Sequence, residues 1–282
     1  MPWCDEVMSD RSTVPEYLAL LKHEAGAARA AAWVDEYEAA HPEVFSVYYS
    51  AWGDRSTRSE AAALVETQAD AVRRRETATS LAVHAVAGRL RELGLIDDEI
   101  PLVMLVGGRS ANGWVANFDG APTLFIALEY LDDSPGDTAL VAHEASHVVH
   151  ARLNPTFDTE TLTGRLVAEG IAVVMSRLLV PDASESQTFW FDGTHADWVE
   201  GCRRARHRIG EVVRDARSGD SAARESLFSL RPVDGVPPRA GYWVAAQIVL
   251  ELAATAASLR DVMLWTDGEA EGFVVRGLAG LL

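Results

Sequence analysis

Residues 134–150, SPGDTALVAHEASHVVH, decide how this chain reads. Ser134 is a helix-capping residue type, Pro135 suits the first helical position, and Asp137 puts an acid in the first turn. A helix is therefore expected to start at Ser134 and run to Asn154-Pro155. Within it lies His143-Glu144-Ala145-Ser146-His147. Each helical residue adds about 100° of rotation, so side chains four apart share a face. Two imidazoles so placed can ligate one tetrahedral ion, while Glu144, next in sequence to a ligand, can face an attacking water without coordinating.

With 8 His and 22 Glu in the chain, this pattern arises by chance about 0.02 times. Zinc needs a third protein ligand and an open position. After a short connection, 154–158, a second periodic segment over about 159–179 is expected to pack beside the first helix. It carries Glu169 among Leu166, Val167, Ala168, Ile171, Ala172, Val173 and Val174. A carboxylate in such company costs several kcal/mol unless a cation or a hydrogen-bond network compensates it. A metal held with His143 and His147 would do so, and so would a salt bridge to Arg165 or Arg152. Gly170, costly in mid-helix by about 1 kcal/mol, suggests close approach to the HExxH helix.

These residues resemble zincin metallopeptidases of the gluzincin type, which carry HExxH on one helix and Glu on the next. Within them the likeness is to bacterial proteins described as predicted Zn-dependent proteases, whose second helix bears E-G-x-A, here Glu169-Gly170-Ile171-Ala172. The resemblance is strongest over Leu102–Leu179. A partial echo of a GYxxG helix start follows at Gly241-Tyr242, with Ala245 in the final Gly position. The likeness implies that Tyr242 faces the site and steadies a developing oxyanion. It also implies that strand 122–128 is the sheet edge along which an extended substrate pairs.

Outward from this centre, 15–38 and 59–93 show helical periodicity. Short β-rich runs follow at 101–106, 114–118 and 122–128, separated by Asn112-Gly113 and Asp119-Gly120, which suggests a small antiparallel meander. Further helices are expected at 196–217, 240–257 and 259–265, with a loop at 232–238. The expected architecture is α+β, a single, mostly helical zincin-like domain. Its N-terminal helical part covers 1–97, the sheet and metal helices 98–181, and a helical C-terminal part 182–282.

The 282 residues carry a formal charge of −17, with 25 basic residues against 42 acidic ones. That argues against binding nucleic acid through its phosphates and against docking on anionic lipid. Lys22 is the one lysine, so Schiff-base and P-loop chemistry have almost no candidate. Two cysteines, Cys4 and Cys202, are too few for a disulfide framework. Without a visible secretory signal or membrane span, a cytoplasmic location is expected.

The expected function is zinc-dependent hydrolysis, with a peptide as the leading substrate. Zn²⁺ would be held by His143, His147 and Glu169, with Glu144 as general base and Tyr242 as oxyanion donor. The alternatives are a zinc hydrolase or lyase acting on a small amide or metabolite, and a non-catalytic binding protein on the same scaffold. Other residues read two ways. His150 is a partner of the ligands or a core histidine, His195 and His207 are oxyanion donors or structural, and Tyr242 itself could be a core aromatic. His84 and the run Arg73-Arg74-Arg75 read as helix surface, and Cys202 as an inert thiol.

Overall fold

The computed structural model describes residues 10–219, 221–230, 235–253 and 256–281. Cys4 and residues 232–234 of the expected loop lie outside them. The chain groups into two compact units, Met1–Gly88 with Asp97–Asp133, and Arg89–Ile96 with Ser134–Leu282. The sequence leads one to expect a single domain with internal boundaries at 97 and 181, whereas the contacts group the chain as above. No helix among the described residues is long and apolar enough to cross a membrane.

The first unit holds β1 (Arg11–Ser12), α1 (Val14–Ala19), α2 (Ala27–Ala32), α3 (Pro42–Ala51), most of α4 (Arg58–Glu92), β2 (Leu102–Leu105), β3 (Gly113–Phe118) and β4 (Ala121–Ala127). The expected helix over 15–38 is broken at Gly26, whose φ of 98° lies where glycine is favoured. The strands form one sheet in the order β1-β2-β4-β3. It is mixed, which corrects the expected antiparallel meander: β2 pairs parallel with β4, and only β3 and β4 are antiparallel.

The reason lies in the two turn dipeptides. Asp119 and Gly120 both adopt positive φ, 51° and 82°, and close a tight hairpin. Asn112-Gly113 closes none, because the segment before it is bound elsewhere. The Tyr37 hydroxyl donates to the Val106 carbonyl at 2.8 Å, the Gly108 amide donates to the Tyr48 hydroxyl at 2.8 Å, and the Gly107 amide donates to Glu129 at 3.0 Å. The chain therefore passes β4 and returns on its far side. β4 is hydrogen-bonded along both flanks, so strand 122–128 is internal and not the free edge that the family likeness implied.

The second unit holds α5 (Pro135–Leu153), α6 (Leu162–Leu179), α7 (Glu185–Trp190), α8 (Ala196–Arg204), α9 (Arg206–Arg217), α10 (Ser221–Phe228), α11 (Ala240–Leu252), α12 (Ala256–Met263) and α13 (Asp267–Leu281). As expected, Ser134 caps α5 by accepting from the Gly136 amide at 3.1 Å. Thr161 caps α6 in the same way through the Gly164 amide at 3.1 Å. The helix expected over 196–217 is divided at Ala205.

Helix α6 packs against both α5 and α11. Gly170 faces the second of these rather than the first: a Cβ there would stand 2.4 Å from the Ala245 carbonyl oxygen and 2.6 Å from Val249 Cγ2. The close approach inferred from Gly170 is thus to α11 and not to the HExxH helix. Ala at position 170 would gain about 1 kcal/mol of helix propensity but collide with backbone, at a typical overpacking cost of about 1–3 kcal/mol. Gly170→Ala is expected to shift unfolding to lower denaturant, and Gly170→Val, bulkier and β-branched, to shift it further. An unchanged midpoint in both would mean that the helices separate freely.

Candidate metal centre

His143 and His147 stand one turn apart on α5, and Glu169 reaches them from α6. His143 Nε2 lies 3.1 Å from Glu169 Oε2, His147 Nε2 lies 3.5 Å from the same oxygen, and the two Nε2 atoms are 3.3 Å apart. His143 is buried, while His147 and Glu169 keep 21% and 14% side-chain exposure. Three donors are thus gathered where water still has access.

This group could hold a metal ion. A tetrahedral ion with bonds of about 2.0–2.1 Å sets its ligand atoms about 3.3 Å apart. The three separations fall around that value. The donors, two imidazole nitrogens and a carboxylate oxygen, are those of a site that leaves a fourth position open. His143 Nδ1 is buried without a hydrogen-bond partner among the described residues.

Electrostatics tie the group together. Burial would raise the Glu169 carboxyl, but hydrogen bonds from His143 and His147 outweigh it and hold its pKa well below the usual carboxylate range. Burial opposes protonation of His147, yet the Glu169 and Glu144 carboxylates prevail and lift its pKa above the ordinary imidazole value. Glu144 is buried, and desolvation pushes its pKa up against the pull of His143 and His147.

Tyr242, at the start of α11, sets its ring centroid 6.3 Å from that of His143. Its phenol pKa is raised by burial, with Glu169 adding to the effect. Phe191 packs edge-on to His143 at 5.3 Å. The remaining histidines stand apart from the group. His150 is buried, hydrogen-bonds the Met263 backbone and packs on Phe157 at 4.8 Å. His195 stacks on Trp190 at 3.9 Å with Nδ1 bound to Asp192 at 2.8 Å. His207 is exposed on α9, and His84 is exposed on α4 with Nδ1 on the Ser80 carbonyl. Cys202 is buried, with its thiol pushed up to about 12 by desolvation, as suits an inert thiol.

No family model, curated protein or solved structure gives a significant match to the chain.

Two arginines stand near the group, Arg239, which the sequence did not single out, and Arg165, read there as a possible ion-pair partner of Glu169. Arg239 sits 4.5 Å over the Tyr242 ring and 4.7 Å over the Trp190 ring. Arg165, one turn before Glu169 on α6, lies 4.4 Å over Phe228 rather than in an ion pair with that carboxylate. The spacing Arg165 to Glu169 was visible in sequence. The partners of Arg239 come from separate helices and were not.

Burial lowers the His150 pKa to about 4. Above about pH 6.5 the ring is neutral whether folded or unfolded, and contributes no slope. Between there and about 4 the unfolded chain takes up a proton that the folded ring refuses, so stability falls as the pH falls. The full loss is about 3 kcal/mol. His150→Gln is expected to flatten the pH dependence of unfolding in this window, measured by denaturant titration, and an unaltered slope would contradict it.

Proposed function

We propose that this chain is a zinc-dependent hydrolase that cleaves amide bonds, of the zincin metallopeptidase type. The observation that carries the reading is the spacing of the three donor atoms, close to the edges of a tetrahedron around Zn²⁺. His143, His147 and Glu169 would hold the ion. Bound there, Zn²⁺ supplies Lewis acidity for a substrate carbonyl and brings the pKa of water toward about 7.

The protein's own groups supply the rest. Glu144 follows His143 directly on α5, so its carboxylate borders the group without joining it and can accept a proton from the attacking water. The same carboxyl can return that proton to the leaving amine. Tyr242 offers a hydroxyl donor beside His143, available to a carbonyl oxygen as charge develops on it. Phe191 and Tyr242 flank His143 with apolar surface, which strengthens these interactions by limiting water.

Purified protein loaded with zinc is expected to bind about one ion per chain by mass spectrometry, and His143→Ala or His147→Ala to lose it. Glu144→Gln is expected to keep the zinc but lower kcat/KM on a fluorogenic peptide set by roughly 10²–10⁴. Tyr242→Phe is expected to lower kcat by about tenfold or more with little change in KM. Undiminished turnover in Glu144→Gln, or full zinc in both His variants, would overturn the reading.

A further inference from the structure

Beside the metal group lies an alternating row of cations and rings. Arg165 stands over Phe228 at 4.4 Å, Phe228 meets Tyr242 edge-on at 5.4 Å, and Arg239 stands over Tyr242 at 4.5 Å and Trp190 at 4.7 Å. Tyr242 in turn lies against His143. By aromatic contact the Arg239 guanidinium is thus held one ring away from His143, and that of Arg165 two rings away.

Neither side chain makes a hydrogen bond or ion pair among the described residues. Other arginines in this chain do: Arg58 pairs with Glu38, Arg177 and Arg203 with Glu185, and Arg217 with Glu271. With 42 acidic residues against 25 basic ones, a carboxylate partner is easily found elsewhere. A ring contact engages a guanidinium face and leaves its five N–H donors, which lie in the plane, for a carboxylate. Both arginines are half-buried, and none of their nitrogens is among the buried unpartnered atoms, so their donors remain accessible to a ligand. Their charges reach the site, Arg239 acting on Glu144 and Tyr242, and Arg165 on His147 and Tyr242.

We propose that Arg239, with Arg165, binds a carboxylate of the substrate beside the scissile amide, and that this selects acidic substrates. The inference rests on the hydrolase reading and names the substrate class for the same site. The carboxylate could be the free C-terminus of a peptide or an acidic side chain next to the cleaved bond. Both present the same planar, bidentate acceptor.

The test uses the full chain with Glu144→Gln, so that binding is read without turnover. Three ligands are titrated by calorimetry, with and without zinc: benzoylglycyl-phenylalanine as the free acid, its C-terminal amide, and benzoylglycyl-glutamate amidated at its α-carboxyl. At least one carboxylate ligand is expected to bind tenfold or more tightly than the neutral amide. A preference for the free acid assigns the C-terminus, and one for the glutamate ligand assigns the side chain. Arg239→Met and Arg165→Met are each expected to reduce the preference, and the pair to erase it. Arg239→Lys, which keeps the charge but not the fork, is expected to retain part of it and controls for folding.

Equal binding of acid and amide, no measurable binding of either acid, or a preference unchanged in the double Met variant would overturn the proposal. Failure of the zinc reading would show separately, as missing metal with the acid preference intact.

Discussion

Three donor atoms on two helices meet within 3.1–3.5 Å of one another, and the packing of α6 between its two neighbours is what brings them together. His143 and His147 fix which face of α5 looks at α6, and Glu169 fixes the axial position of α6 against it. The next residue, Gly170, points about 100° further round the helix, where it lets α11 approach to backbone contact. Adjacent residues on α6 thus serve opposite neighbours, Glu169 toward the imidazoles and Gly170 toward Ala245. This explains why a helix that is nearly all apolar carries one carboxylate and one glycine side by side.

What was legible in sequence was what local chemistry decides. The start of α5 was plain because Ser134, Pro135 and Asp137 act on their own turn, and the pairing of His143 with His147 followed because an i, i+4 pair needs only a helix to align it. Further local signals were present but unread. Thr266 and Glu269 close a reciprocal cap that starts α13, and Ser184 and Gln187 do the same for α7. Nonlocal pairing was not legible. Whether Asn112-Gly113 closes a hairpin depends on Tyr37, Tyr48 and Glu129, residues far away in sequence, holding the segment before it. The parallel β2–β4 pairing follows from that restraint, and no turn dipeptide could announce it.

Gly170 illustrates the same division at one residue. Its presence in mid-helix signalled close packing, which was right, but the neighbour was assigned to the helix nearest in sequence. The partner instead lies some 75 residues on, in α11. Arg239 is more extreme: an arginine before a helix carries no distinguishing local pattern, and its place becomes apparent only when Trp190 and Tyr242 close on it from two other points in the chain.

The charge around the metal group also differs in kind from that of the chain. Glu144 and Glu169 together would be balanced by one divalent ion, which leaves the charges of Arg165 and Arg239 uncompensated. With the proposed ion bound, the site would carry an excess of positive charge in a protein of net charge −17, a local reversal of sign. Filling the site with a divalent cation therefore makes it attractive to anions, and a substrate carboxylate would be drawn most strongly to the form of the protein that is able to act on it.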